Sequence, residues 1–191
     1  MLVAVIIWAF YNMLNVGKQE TSYRVSVVVE NSNSDRWTSL RQGLEQAARD
    51  YNISLSFVST GSFSTAMEEM DVVKKQVTNG ANGIILQMNT DHAGQELEDL
   101  SGQTAVILLE TDVDPEGVYA LVAPDNEEMG AALAQAVQSD FGYDLAGKRV
   151  GILACSQSQR SMQQRYAGVS QGLRESGAVV EWSLEGKAES I

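Results

Sequence analysis

The sequence contains one cysteine, Cys155, and one histidine, His92, in 191 residues. A disulfide within the chain needs two cysteines, and a Cys/His metal centre needs several such ligands, so the sequence excludes both. We therefore predict no metal site, and we find no motif that calls for a cofactor. Cys155 ends the apolar run VGILAC, where we expect a buried, unreactive thiol. We expect His92 to be a solvated loop residue.

Basic residues are also scarce, because 13 Lys and Arg stand against 25 Asp and Glu and give a net charge of −12. A field of this sign repels phosphate backbones, so we predict no nucleic-acid partner. Apolar residues make up 44% of the chain and there are only two prolines, which is typical of a globular protein. The acidity suits a secreted or surface protein whose ligand is neutral or cationic, although solubility alone would also favour it.

Residues 1–17 carry no charged side chain, and the first is Lys18. This run is slightly shorter than the roughly 20 residues of a transmembrane helix, and it lacks a basic start and a typical cleavage site. We interpret it as a signal anchor that attaches the protein to the membrane. A cleaved secretion signal and a buried helix are the alternatives. Residues 18–22 form a polar linker.

From Tyr23 onwards, short β-branched runs alternate with amphipathic stretches. Helices are predicted at 34–52, 65–80, 90–102, 126–142 and 158–177. Strands are predicted at 23–30, 53–60, 83–89, 105–112, 118–126, 148–156 and 178–186. Thr65 with Glu68 forms a capping box, and Asp125 or Asn126 caps the fourth helix. Apolar strands alternating with helices indicate an α/β fold with a doubly wound parallel sheet.

The motifs of common enzymes are absent or out of place. No P-loop occurs, and no G-x-G-x-x-G follows the first strand. GVSQG matches a nucleophile elbow, but Ser170 falls within a predicted helix and no histidine follows it. Glu110 with Asp91 or Asp112 could form an acid/base pair, which keeps an enzyme as the less favoured alternative. We predict binding groups and no catalytic residue.

Ligands of open parallel sheets bind beyond the carboxyl ends of the strands. In this sequence those positions are rich in amides, carboxylates and hydroxyls, with Trp37 and Phe63 as aromatic residues. They cover residues 31–37, 60–63, 87–91, 110–112 and 156–160. Hydrogen-bonding groups beside flat apolar faces suit a sugar, whose edge carries hydroxyls and whose faces carry C–H groups.

The stretch VVVENSNSDRWTSLRQGLEQAARDYN resembles the first strand and helix of type 1 periplasmic binding proteins, the ribose- and galactose-binding group related to the LacI-type repressors. NGANGIIL, QMNTD, VILLETD, APDNEEMG and VGILACSQSQRSMQQRYAGVSQGLRESG follow in the family's order. The resemblance implies two lobes that close on a ligand by hinge motion, with lobe I at 23–124 and the beginning of lobe II at 125–191. Because the family's second lobe has further strands, it also implies that the sequence is a fragment. The alternative is a short protein with one complete lobe and an appended unit.

The resemblance further implies a set of ligand-binding residues. After the first strand it places Asn33, Arg36 and Trp37 at the ligand, with Arg36 where the family often has one of two aromatic residues and Trp37 left to stack. Glu110 stands where relatives often have an Asp that binds sugar hydroxyls. The other three are Asn89 at the third strand end, Gln163 in the place of a ligand-binding arginine, and Arg165 as its substitute two residues on.

The function implied is that of an extracytoplasmic solute-binding protein for a monosaccharide or a similar small polar metabolite. It would deliver the ligand to a permease for ABC-type import. Alternatively, it would be a membrane-anchored sensor that works with a histidine kinase. A repressor is disfavoured, because the apolar segment stands where a DNA-binding domain should be. A purely structural membrane-associated domain is the third possibility.

Overall fold

The computed structural model describes residues 22–60, 65–90, 92–113 and 119–186. The predicted anchor at 1–17 and nearly all of the linker lie outside these residues, as do Phe63 and Asp91. Among the described helices, none is both long and apolar enough to cross a membrane.

The described residues follow the predicted order of strands and helices. The strands are β1 (Tyr23–Glu30), β2 (Ile53–Thr60), β3 (Gly83–Leu86), β4 (Ala105–Leu109), β5 (Ala120–Val122), β6 (Arg149–Ala154) and β7 (Val179–Glu185). The helices are α1 (Thr38–Asp50), α2 (Ala66–Thr78), α3 (Gly94–Ser101), α4 (Asn126–Asp140) and α5 (Arg160–Glu175), and a 3-10 turn at Asp35–Trp37 precedes α1.

Two of the predicted helix caps form as side-chain hydrogen bonds. Thr65 Oγ1 accepts from the Glu68 N–H at 3.2 Å, at the start of α2. Asp125 Oδ1 accepts from the Glu128 N–H at 2.9 Å, which makes Asp125 and not Asn126 the cap of α4. Each bond satisfies a backbone donor that the first helical turn leaves free, so these helices begin where the sequence predicts.

Several strands end earlier than predicted. β3 ends at Leu86 instead of residue 89, and β4 ends at Leu109 instead of residue 112. After β4, Glu110 has a φ of 66°, which is incompatible with an extended strand. The polar residues that were assigned to strand ends therefore belong to the loops at the carboxyl edge of the sheet.

β1 to β5 form a parallel sheet in the order β2-β1-β3-β4-β5, which we call the first sheet. Successive residues of β1 alternate between two apolar clusters, with Val28 facing α2 and α3 and Val27 and Val29 facing α1. Helices therefore cover both faces of this sheet, and the predicted doubly wound architecture is confirmed. The strand order also places the ends of β1, β3 and β4 side by side.

β6 and β7 pair in parallel as a second sheet, against which α4 and α5 pack through a smaller apolar cluster. Along β6 only Ile152 is buried, and Leu153, Trp182 and Leu184 are about half exposed. The prediction of a buried Cys155 is wrong, because this cysteine is exposed. The apolar run does not bury it, since the helices cover only one face of the two described strands and Cys155 lies just past the end of β6.

Candidate functional site

Three loops meet at the carboxyl edge of the first sheet. The loop after β1 contains residues 31–37, the loop after β3 contains residues 87–90, and residues 110–112 follow β4. β3 lies between β1 and β4, so its loop is flanked by the other two. This is the edge at which parallel α/β sheets bind ligands. The three loops contain five of the predicted site residues, namely Asn33, Arg36, Trp37, Asn89 and Glu110.

Arg36, Trp37 and Glu110 form one cluster at this edge. The Arg36 guanidinium makes an ion pair with the Glu110 carboxylate. Its Cζ also lies 4.7 Å from the centroid of the Trp37 ring, within the range of a cation–π contact. The side chains of Arg36 and Glu110 are 56% and 35% exposed. Because an exposed ion pair contributes at most ~1 kcal/mol, polar ligand groups can replace it at small cost.

Trp37 is buried, whereas an aromatic ring that stacks on a ligand needs one accessible face. The residue is 4% exposed and packs with Val29, Ile85 and Leu109, and its Nε1–H donates to the Glu30 carbonyl at 2.9 Å. The Arg36 guanidinium covers one face of the ring. Stacking of a sugar on Trp37 therefore requires the guanidinium to move aside.

The backbone of Glu110 is fixed by hydrogen bonds on both sides. Its N–H donates to the Val122 carbonyl at 2.9 Å, and its carbonyl accepts from the Asn126 side-chain amide at 3.3 Å. These bonds hold the positive φ, a conformation that costs a non-glycine residue about 1 kcal/mol or more. The carboxylate that meets Arg36 is thus carried by a constrained backbone.

Arg165 is hydrogen-bonded to the first residue of α4. Its Nε–H donates to Asn126 Oδ1 at 2.8 Å, so Asn126 links α5 to the end of β4. Gln163 is exposed, and its amide donates to the Gln157 carbonyl at 2.8 Å. Asn33 is exposed on the loop after β1. The structure therefore connects Arg165 to Glu110 through Asn126 and leaves Asn33 and Gln163 at the surface.

Asn89 contacts both the buried carboxylate of Glu69 and the loop before α5. Its N–H is 3.1 Å from each carboxylate oxygen of Glu69, which is 1% exposed. Burial raises the pKa of Glu69 from 4.5 to about 7, the Asn89 N–H opposes this, and the nearby Glu30 carboxylate adds to it. Asn89 Nδ2 is buried and has no hydrogen-bond partner among the described residues.

The loop before α5 closes over this edge. Ser158 Oγ donates to the Asn89 carbonyl at 3.3 Å, and the Gln159 amide donates to the Met88 carbonyl at 2.7 Å. The buried Ser161 N–H donates to Thr111 Oγ1 at 3.1 Å. Three hydrogen bonds thus join the loops after β3 and β4 to the start of α5.

Gln87 lies within the predicted ligand-binding edge at residues 87–91 but was given no role of its own, and Glu69 was not predicted at all. Gln87 is 4% exposed, and its Oε1 has no hydrogen-bond partner within the described part of the chain. A buried amide oxygen without a partner is costly, so a ligand or a water molecule is the natural partner at this position. Glu69 could have been found by its spacing, because it lies four and eight residues before Val73 and Val77 on the apolar face of α2.

A polar cleft of about 420 Å³ lies beside Glu110. Its carboxylates come from Glu110, Asp112, Asp125 and Glu127, so the cleft suits hydroxyl or cationic groups. Of the carboxylates proposed for acid/base work, Asp112 accepts from the Val113 N–H at 2.8 Å and from the Tyr119 hydroxyl at 3.3 Å. Ser170 is buried within α5, so the turn that a nucleophile elbow needs does not form there.

Comparisons with known proteins agree with this architecture. The family described as "Periplasmic binding protein domain" matches residues 25–190. No curated protein sequence matches the chain significantly.

Solved structures with the same fold include three sugar-related binding proteins. A glucose-galactose binding protein from Geobacillus stearothermophilus is 20% identical with a TM-score of 0.74, over 90% of this chain and 60% of its own. The Caulobacter myo-inositol binding protein, bound to myo-inositol, is 19% identical with a TM-score of 0.74, over 88% and 57%. A carbohydrate transporter solute binding protein from Agrobacterium radiobacter, in complex with D-arabinose, is 14% identical with a TM-score of 0.76, over 88% and 59%. This chain therefore spans somewhat more than half the length of each, and the likeness confirms the expected α/β fold.

Proposed function

The chain belongs to the type 1 periplasmic binding protein family, and on that premise we propose that it binds a monosaccharide or a similar small polar metabolite outside the cytoplasm. In this proposal residues 23–124 form one lobe, residues 125–191 begin the other, and the ligand lies between them. The related structures in complex with D-arabinose and myo-inositol support a polyhydroxylated ligand.

The proposal depends most on two buried polar atoms just after β3 that have no hydrogen-bond partner among the described residues. Gln87 Oε1 is an acceptor and Asn89 Nδ2 is a donor, and both belong to the loop after β3, which is flanked by the loops that hold Arg36 and Glu110. A hydroxyl group donates and accepts at once, so a polyol can satisfy both atoms. An apolar ligand would leave both unsatisfied, which argues against it.

We assign the remaining residues by what their groups can offer. Glu110 accepts from ligand hydroxyls, Arg36 donates to them, and Trp37 contacts the face of the ring once the guanidinium has moved. Asn33 and Gln163 are exposed and can approach the ligand when the lobes close. Arg165 takes part through Asn126, to which it is hydrogen-bonded.

We propose that the bound solute is handed to a membrane permease for ABC-type import, and that the protein has no catalytic activity. The solved relatives include ABC-transporter solute-binding proteins, which supports this role. A membrane-anchored sensor that signals to a histidine kinase is the second candidate. The charge-free segment at 1–17 favours it to the extent that it stays attached to the membrane.

A thermal-shift panel followed by calorimetry tests the proposal. The purified chain is screened with D-galactose, D-glucose, D-arabinose, D-ribose and myo-inositol. A ligand present at 100 times its Kd stabilises the folded protein by about 2.7 kcal/mol, which a melting curve detects easily. The absence of a shift with every compound would count against sugar binding.

The variant Glu110→Gln tests the assigned site. Hydrogen bonds to a charged group are worth about 1.5–3 kcal/mol, so this change should weaken binding roughly 10- to 100-fold. Glu45→Gln is the matched control, because Glu45 is exposed in α1 and the change in charge is the same. Equal affinities of the two variants would remove Glu110 from the site. Turnover of any of these ligands by the parent protein would favour the enzyme instead.

A further inference from the structure

The buried carboxylate of Glu69 contacts the loop after β3, which belongs to the candidate site. Glu69 lies in the first turn of α2 and is 1% exposed. Met70 and Val73, which are close to it on the same helix, are core residues. Ionised carboxylates are almost never fully buried unless they are paired, and no salt bridge to Glu69 is found among the described residues. The backbone N–H of Asn89 donates to this carboxylate.

Asn89 connects the Glu69 carboxylate to the candidate ligand site and to the loop before α5. Its N–H donates to Glu69 and its carbonyl accepts from Ser158. Its side-chain Nδ2, which has no partner within the described ranges, is one of the atoms to which we assign the ligand. Met88, one residue earlier, accepts from Gln159. A displacement of the Asn89 main chain therefore moves a ligand-binding atom and a contact with the loop before α5 together.

We propose that Glu69 is a positioning residue for the candidate site, and that the charge on its carboxylate sets the position of residues 87–89. The charged carboxylate accepts a charge-assisted hydrogen bond from the Asn89 N–H, which is about twice as strong as the bond to a neutral carboxyl group. The protonated form holds Asn89 more weakly and carries an O–H that needs an acceptor of its own.

The titration of Glu69 falls within the physiological range. Burial, with a contribution from Glu30, raises its pKa from 4.5 to about 7. Among the described residues, the Glu30 carboxylate at the end of β1 acts on it, Glu68 precedes it on α2, and His92 lies three residues after Asn89 in the sequence. His92 is the only histidine of the sequence, so the test includes a variant that removes its imidazole.

The amide resonance of Asn89 reports on this coupling without any ligand. We expect its ¹H and ¹⁵N shifts to follow a single titration with a midpoint near pH 7 in the parent chain. The same titration should occur in Glu68→Gln, the matched control with the same charge change on an exposed neighbour, and in His92→Gln. It should disappear in Glu69→Gln, whose amide oxygen can accept from Asn89 at every pH.

Two results would overturn the inference. The first is an Asn89 resonance that stays constant between about pH 5 and pH 9 in the parent chain, which needs no variant to fold. The second is a midpoint that persists in Glu69→Gln or vanishes in His92→Gln, since the titrating group would then be another residue.

The consequence for ligand affinity rests on the proposed function. A sugar that binds should bind roughly fivefold more weakly at about pH 5.5 than at about pH 8.5, and Glu69→Gln should remove this difference. The failure of the two ideas is distinguishable. If no sugar binds at any pH, the proposed function fails while the Asn89 titration still decides the role of Glu69. If a sugar binds and Asn89 does not titrate, only the inference about Glu69 fails.

Discussion

The buried carboxylate of Glu69 leads to a quantitative prediction about stability. A carboxyl group whose pKa is higher in the folded than in the unfolded protein binds its proton more tightly in the folded state. The contribution of the protonated Glu69 to the free energy of unfolding is therefore fully present below the unfolded pKa of 4.5. It is lost as the pH rises through the folded pKa of about 7. At 1.36 kcal/mol for each unit of pKa, this rise corresponds to about 3 kcal/mol.

The substitution Glu69→Gln removes the proton equilibrium and keeps the shape of the side chain. The new amide group needs a hydrogen-bond acceptor, and a missing one costs about 1–3 kcal/mol at every pH. The diagnostic quantity is therefore the difference in free energy of unfolding between variant and parent as a function of pH. We expect it to shift in favour of the variant by about 3 kcal/mol between about pH 4.5 and pH 8.

Urea denaturation at a series of pH values measures this difference. Glu68→Gln serves as the control, because Glu68 is exposed and its replacement should leave the pH dependence of the parent nearly unchanged. Effects of all other carboxylates cancel when variant and parent are compared at the same pH. A difference that stays constant within about 0.5 kcal/mol over the whole range would refute the reasoning.

The remaining predictions concern packing and exposure. Gly168→Ala should lower the free energy of unfolding by about 1–3 kcal/mol in urea denaturation, because the added Cβ would lie 2.1 Å from the Glu127 carbonyl oxygen. Gly43→Ala, with nothing within 4 Å of its Cβ, should be neutral or stabilise by up to about 1 kcal/mol, and a loss there equal to that of Gly168→Ala would contradict the packing argument. Trp37→Phe should destabilise by about 1–2 kcal/mol, since it removes the indole hydrogen bond to the end of β1, and an unchanged melting curve would show that this bond is unimportant. Cys155 should react with a thiol reagent in the native protein as quickly as after unfolding, and protection in the native state would contradict its exposure.

Periodicity alone predicted the strands and helices of the described chain, because it reflects the way each element buries its own apolar face. Val27 to Val29 alternate between two clusters, as residues of a strand buried on both sides must. The edge that holds the candidate site was also predictable, since every parallel strand ends there. Which loops are neighbours was not, because it depends on the strand order, which places β3 between β1 and β4.

The contacts of individual side chains depend on packing that a single sequence does not specify. Trp37 was predicted as a stacking surface, but the path of the loop brings its indole N–H to the carbonyl of Glu30 and buries the ring. Arg165 finds its partner in Asn126, 39 residues away in the sequence. Cys155 is exposed because the helices cover one face of the second sheet, and nothing in an apolar run indicates which face that is.

The close packing of α4 against α5 should make these two helices move as one rigid unit. A Cβ on Gly130 would lie 2.2 Å from the Arg165 carbonyl oxygen, and one on Gly168 would lie 2.1 Å from that of Glu127, so the two backbones touch with no side chain between them. α4 begins at Asn126, beside the end of β4, and α5 begins just after the Ser158 contact with Asn89. We therefore expect a rotation of α4 at Asn126 to move α5 with it, and so to move the contact between Ser158 and Asn89.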